Sequence, residues 1–335
     1  ELAVALERVR VAEGVGDRLQ LGIALYSVGA IQARRVPPKG ALENLEKSLA
    51  IFEELDAKSE QARALAAMGT AYDNARQRPL AIKTYDKALV LTKQLGDKKL
   101  TASIYNGLAG AHVELGDLEI GLEYYESARM LSEETKDLAT LHQVLNNIGR
   151  VYTSLSRYAE GLDYFHKSLK IYEELGSVDR RSLANKLQNI ALIYRRQGQH
   201  DQALAYARRS LALFEEADDK FGVANLQNNI GVIHKARASY TEALEYFQKA
   251  LAGYEALNAT PGIARAWNNL GDTYRLQGRY DDALQALQKG LRIREQNDPN
   301  AVALSLNNLG RLYQDQGKYP EMLEVSRRAV KVSEE

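Results

Sequence analysis

The chain has no cysteine, six prolines and one tryptophan among its 335 residues. The absence of cysteine excludes disulfide bonds, thiolate nucleophiles and metal sites with cysteine ligands. Charge of neither sign is in excess, because 44 lysines and arginines balance 44 aspartates and glutamates. A general attraction to nucleic acid is therefore not expected. No run of about 18 apolar residues is present, so the sequence predicts no membrane span, and with no targeting segment we expect a cytoplasmic location.

The sequence does contain a repeated pattern, in which two asparagines precede an apolar residue and a glycine. The pattern begins at Asn146, Asn228 and Asn268. We take the small residue as the reference residue of each unit, and it recurs every 39 to 42 residues. The eight reference residues are Gly29, Gly69, Ala109, Gly149, Ala191, Gly231, Gly271 and Gly310. Eight units at one period predict a single solenoid domain over residues 1–335.

Each unit is predicted to hold two helices. Apolar residues lie at positions −4, −1, 0 and +3 relative to the reference residue, as in Leu145, Ile148 and Tyr152, and this spacing forms one helical face. A second small residue follows at position +12, which predicts a second helix that approaches the first closely. Residues 1–13 are predicted to be the second helix of a further unit whose first helix is missing.

The pattern Leu/Ile-Gly-x-x-Tyr, followed by Gly-x-Tyr-x-x-Ala-Leu, resembles the tetratricopeptide repeat. The period of about 40 residues exceeds the usual ~34, as in kinesin light chain and in bacterial signalling proteins with such repeats. The resemblance implies an all-α, right-handed α-solenoid (superhelix) of about eight helix-turn-helix units plus the partial N-terminal unit. It also implies that the first helices line a concave groove.

The sequence predicts neither an enzyme nor a cofactor or metal site. Of the five histidines, His112 and His234 occupy position +3, where other units have tyrosine, so we interpret them as aromatic core residues. No histidine pair has the spacing of a helical metal site. Paired glutamates recur at a near-constant position in several units, which is typical of a solvated helix face rather than a catalytic dyad.

Positions −6, −2, +1 and +5 lie opposite the apolar face of the first helix. At position −2, five consecutive units carry asparagine, although asparagine is a mediocre helix former. An asparagine amide can donate to and accept from a peptide main chain. The row resembles the asparagine ladder of O-linked N-acetylglucosamine transferase and kinesin light chain. The alternative is that the amides bridge neighbouring helices, an interpretation that better suits the asparagines at position −3.

Arginines and apolar residues on the same stripe favour an extended peptide with acidic and hydrophobic side chains as the ligand. The predicted peptide-binding residues are Asn147, Arg150, Asn185, Asn189, Leu192, Arg196, Asn225, Asn229, Val232, Lys235, Arg265, Asn269, Arg275, Asn308 and Arg311. The first hypothesis is therefore a non-catalytic protein-interaction module that binds such a peptide in the groove of the C-terminal repeats.

Two alternatives remain open. The chain could be the regulatory, sensor or autoinhibitory arm of a larger bacterial signalling protein, with an adjoining domain of the same protein as its partner. It could also be a scaffold that forms a homodimer through uncapped terminal helices. Recognition of nucleic acid is not expected, because the net charge is zero and the asparagine row is uniform.

Overall fold

A computed structural model describes residues 1–34, 37–176, 179–298 and 301–334. The chain divides into two compact units, Glu1–Ser177 and Val178–Glu335, and each is described by itself. The helices of the first unit are α1 (Leu2–Val15), α2 (Arg18–Ala33), α3 (Ala41–Glu54), α4 (Lys58–Asn74), α5 (Arg78–Leu95), α6 (Lys98–Leu115), α7 (Leu118–Glu134), α8 (Leu138–Ser154) and α9 (Tyr158–Glu174). Those of the second unit are α10 (Arg180–Arg196), α11 (His200–Glu216), α12 (Lys220–Ala236), α13 (Tyr240–Ala256), α14 (Thr260–Leu276), α15 (Tyr280–Asn297), α16 (Val302–Asp315) and α17 (Tyr319–Glu334).

The predicted all-α solenoid of paired helices is confirmed. The even-numbered helices from α2 to α16 contain the eight reference residues and are the first helices of the repeats. Each packs most extensively on the helix that follows it, and α1 packs on α2 in the position of a second helix. No β-strand occurs in the ranges given above. None of the helices described is both long and apolar enough to cross a bilayer.

Local sequence signals set the helix ends. The Asp97 side chain accepts a hydrogen bond from the backbone N–H of Leu100, which caps the N-terminus of α6. Asp137 caps α8 in the same way. A residue in the left-handed region ends many of the helices; it is a glycine at Gly96 and Gly278, where this conformation carries no steric cost. Within each unit, these short turns keep consecutive helices antiparallel and in contact.

The reference residue is small because the second helix presses a large side chain against it. A Cβ atom placed on Gly231 would lie 2.7 Å from the ring of Phe247, and one on Gly271 would lie 2.6 Å from Leu287. The close approach of the two helices, which the sequence predicts, is therefore present in the structure. In these repeats it fixes the rotation of the first helix about its axis.

The two histidines at position +3 are aromatic core residues, as predicted. His234 stacks on Tyr246 with a centroid distance of 5.4 Å, and His112 stacks on Tyr124 at 5.6 Å. In repeat 4 the equivalent pair is Tyr152 on Tyr164, at 5.4 Å. The +3 residue of these repeats therefore joins the first helix to the second by an aromatic contact.

Substitution of Gly231 by alanine should destabilise the second unit by about 2 kcal/mol, because the new methyl group overpacks against Phe247. The matched control is Gly14→Ala, because a Cβ atom there meets nothing within 4 Å. The control should not lower stability. Urea denaturation of the two variants measures the difference, and an equal effect of both substitutions would contradict the packing account.

His234→Tyr should make the chain less sensitive to acid. Burial holds the pKa of His234 below its usual value, and neither ring nitrogen has a hydrogen-bond partner in the described part of the chain. The His234 imidazole is therefore protonated more readily in the unfolded state than in the native state. As a consequence, the native state loses stability as the pH falls below about 6.5. The stability difference between variant and wild type should therefore grow from pH 7.5 to pH 5.5 in thermal unfolding. A difference that does not change with pH would show that this ring does not contribute.

Candidate peptide-binding surface

The first unit contains a groove of 1080 Å³, which residues of α2, α4, α6 and α8 line. Residues at positions −6, −2, +1 and +5 form much of its lining: Arg63, Ala67, Thr70 and Asn74 in repeat 2, Ser103, Gly107, Gly110 and Glu114 in repeat 3, and Gln143, Asn147, Arg150 and Ser154 in repeat 4. In this unit the stripe identified from the sequence thus faces an open groove. Asn147 and Arg150 are the predicted site residues that lie in it.

Two of the asparagines at position −2 bridge neighbouring first helices and still keep hydrogen-bonding groups available for a ligand. Asn147 donates from Nδ2 to Oδ1 of Asn106, 3.1 Å away in the preceding repeat, and Asn269 donates in the same way to Asn228 at 2.8 Å. Both donors nevertheless remain half-buried rather than sealed. These bonds bridge first helices as the alternative expects, while Asn147 also lines the groove. One amide proton and the acceptor oxygen of each side chain stay available.

Asn189, Asn229 and Asn308 are likewise half-buried. For Asn229 and Asn308, no side-chain hydrogen bond to another described residue is found. In the second unit, four successive first helices therefore present an amide at one position, and two of these amides keep their full hydrogen-bonding capacity.

Two of the predicted cations are engaged by carboxylates. Lys235 Nζ lies 2.7 Å from Asp272 Oδ2, and Arg275 contacts Asp272 at 3.0 Å and Asp315 at 2.5 Å. Burial acts to raise the pKa of Asp272, but the ion pairs outweigh it and hold that pKa below its usual value. The network joins α12, α14 and α16, so Lys235 and Arg275 serve the contact between repeats.

The other predicted residues of the second unit differ in accessibility. Arg196, Arg311 and Asn185 are exposed, and no carboxylate of the described residues forms an ion pair with either arginine. Arg265 is also exposed and donates to Asn225 Oδ1 at 2.6 Å and to the Tyr254 hydroxyl at 2.8 Å. Since both partners are neutral, the charge of Arg265 is not compensated.

Leu192 and Val232 are half-buried, and Val232 packs against the core around Phe247. Both occupy position +1, so the stripe of the second unit includes two apolar places between its amides.

The groove of the first unit also contains residues that the sequence reasoning missed. Tyr85 and Tyr125, from the second helices α5 and α7, reach its floor, and Asp73, Arg78 and Glu114 stand along it. Arg78 lies 3.2 Å from Asp73 and 3.7 Å from Glu114. The available signal was the run of small residues at position −2, from Ser27 to Gly107, which leaves space above the second helices. Among the described residues, no cluster of three or more histidine or acidic side chains could hold a metal ion.

Family models described as tetratricopeptide repeat match residues 64–99, 140–216, 222–296 and 302–335. The chain belongs to the tetratricopeptide repeat family. The resemblance found in the sequence is thereby confirmed. The comparison with curated proteins finds no match.

Solved structures share the fold at low identity. The tetratricopeptide repeat sensor protein PH0952 of Pyrococcus horikoshii, a signal transduction ATPase with numerous domains, is 17% identical with a TM-score of 0.70, over 99% of this chain and 52% of that one. A Rap protein in complex with competence and sporulation factor is 16% identical with a TM-score of 0.61, over 96% and 98% of the two chains. BtubC from P. vanneervenii is 23% identical with a TM-score of 0.53, over 62% and 86%. The chain thus spans about half the length of PH0952.

Removal of the central carboxylate of the ion-pair network by Asp272→Asn should cost about 2 kcal/mol, since it leaves the partly buried Lys235 unpaired and Arg275 with Asp315 as its one remaining carboxylate. Asp201→Asn is the control, because Asp201 is 89% exposed in its pair with Arg237. The control should change stability by less than about 0.5 kcal/mol. Equal denaturation midpoints for the two variants would show that the network does not hold the repeats together.

Proposed function

We propose that this tetratricopeptide repeat protein is a non-catalytic interaction module that binds an extended, acidic peptide along the first-helix face of its C-terminal repeats. The observation that carries the proposal is the row of half-buried amides at position −2, formed in the second unit by Asn189, Asn229, Asn269 and Asn308. The equivalent stripe lines an open groove in the first unit, which supports the same use of the stripe here.

The charges on this face favour an acidic ligand. Lys235 and Arg275 are neutralised within the protein, whereas Arg196, Arg265 and Arg311 keep exposed positive charges. Arginine pairs well with carboxylates because its guanidinium group donates two parallel hydrogen bonds. The apolar places at Leu192 and Val232 suit hydrophobic side chains between the acidic ones.

The expected affinity is modest. A net hydrogen bond contributes about 1 kcal/mol, so a row of four or five amides supplies about 5 kcal/mol before the costs of association. Contacts with arginine and with apolar side chains add to this, and a dissociation constant on the order of micromolar follows. Such a value suits a regulated interaction.

A regulatory role is the second candidate. The observation that favours it is the similarity in fold to the PH0952 protein, whose repeats are described as a sensor. The Rap structure in complex with competence and sporulation factor likewise supports a ligand-binding role for this fold. Purification from the native host distinguishes the candidates, because a sensor arm would be recovered covalently joined to its effector, and an interaction module with a separate protein.

The double substitution Asn229→Ala, Asn308→Ala should weaken peptide binding about tenfold or more, because it removes two amides that have no partner within the protein. The probe is a fluorescein-labelled peptide selected on the wild-type protein from a phage-displayed library of random twelve-residue peptides. Fluorescence anisotropy gives the dissociation constant.

The matched control is Gln202→Ala, Gln248→Ala, which removes two exposed amides from the second helices α11 and α13. This variant should bind the peptide as the wild type does. If the asparagine variant retains full affinity and a native thermal midpoint, the amide row is not the binding surface.

A further inference from the structure

Repeats 2 and 3 differ from the rest of the array at one core position. The residue sixteen positions after the reference residue packs against the first helix, and it is Leu45, Phe165, Phe247 or Leu287 in four other repeats. In repeats 2 and 3 it is tyrosine, at Tyr85 and Tyr125. The leucine and phenylalanine side chains of those four repeats pack against the first helix without a hydroxyl group, so packing alone does not require the hydroxyl groups of Tyr85 and Tyr125.

The first helix of repeat 3 leaves the hydroxyl groups uncovered. Helix α6 has glycine at both central stripe positions, Gly107 and Gly110, a combination found in no other repeat. A Cβ atom on Gly107 would lie 2.8 Å from the Tyr85 hydroxyl oxygen, and one on Gly110 would lie 3.6 Å from the Tyr125 hydroxyl oxygen. The two phenol groups therefore reach the groove floor on either side of a helix that has no side chain there.

The two hydroxyl groups have different partners. The Tyr85 hydroxyl oxygen lies 3.1 Å from the hydroxyl oxygen of Thr70, within hydrogen-bond distance. Tyr125 is 4% exposed and lines the groove, yet its hydroxyl forms no hydrogen bond with a described residue. Because this hydroxyl opens onto the groove beside Gly110, a ligand lying there can accept a hydrogen bond from it. Burial raises the pKa of Tyr125 to about 12, so the hydroxyl is a donor at neutral pH.

The charges around this opening favour an anion. Four arginines, Arg34, Arg63, Arg78 and Arg150, line the groove against Asp73 and Glu114, which leaves a formal charge of +2. Arg78 contacts both acids, whereas the other three arginines are exposed. Arg150 is near enough to Tyr125 to affect its ionisation.

The dimensions of the groove favour a peptide over a small metabolite. The groove runs across four first helices, and packed helices lie about 10 Å apart, so it extends for roughly 30 Å. An extended chain rises about 3.3 Å per residue, so about nine residues fill this length.

We propose that the first unit holds a second binding site, in which an extended peptide places an aspartate or glutamate side chain into the opening beside Gly110. There the Tyr125 hydroxyl donates a hydrogen bond to the carboxylate and Arg150 forms an ion pair with it. This site is independent of the amide row in the second unit.

The test uses the full chain and a positional-scanning library of fluorescein-labelled nonapeptides, acetylated and amidated at their ends so that only side chains carry charge. Fluorescence anisotropy measures binding to wild type, Tyr125→Phe and Gly110→Val. Aspartate and glutamate should be selected at one position, and both substitutions should weaken the selected peptides at least about tenfold. Phenylalanine is tolerated by this fold at Phe165 and valine at Val232 in the equivalent positions, and circular dichroism checks that both variants are folded.

Asn229→Ala, Asn308→Ala serves as the variant that separates the two sites. Peptides that lose affinity with the Tyr125 and Gly110 variants but not with the asparagine variant support the second site. The proposal is overturned if no acidic residue is selected, if no peptide binds below about 1 mM, or if folded Tyr125→Phe and Gly110→Val variants bind acidic peptides as the wild type does. Loss of binding in the asparagine variant alone would support the amide row and reject the second site.

Discussion

In six of the eight repeats, a large side chain of the second helix follows sixteen positions after the small reference residue, and the contact between the two determines how the helices pack. Gly69 against Tyr85 and Gly231 against Phe247 are two instances. Because this contact requires one face of the first helix to meet the second helix, the opposite face must turn away from it. The exposure of the stripe at positions −6, −2, +1 and +5 is thus a consequence of core packing, and the residues that occupy it can vary without altering the core.

The residues at the stripe positions differ in chemistry between the two units. In the first unit, small residues lie at position −2, and the tyrosine hydroxyl groups of the second helices reach the space that they leave. The groove is therefore deep at this point. The second unit has amides, arginines and two apolar side chains, which suits the main chain and acidic side chains of a peptide lying across the helices. One repeat pattern therefore carries two surfaces of different chemistry, and the two proposed sites differ in the ligand groups that they would bind.

The fold could be predicted from the sequence because its determinants are local and repeated eight times. The stripe was predictable for the same reason, since helical periodicity places residues on faces. The bond from Asn269 to Asn228 and the pairing of Lys235 with Asp272 were not, because each joins residues about 40 positions apart whose distance depends on how repeats stack. The groove in the first unit was missed because Tyr125 belongs to a second helix and reaches the stripe only where Gly110 leaves a gap.

We propose the first-helix stripe as the ligand surface of this protein. Side-chain amide NMR signals of asparagine and glutamine test it directly, because these groups occur on both first and second helices. On addition of a selected acidic peptide, we expect the signals of Asn189, Asn229 and Asn308 to shift and those of Gln202 and Gln248 to stay unchanged. Shifts confined to the glutamines of the second helices would contradict it.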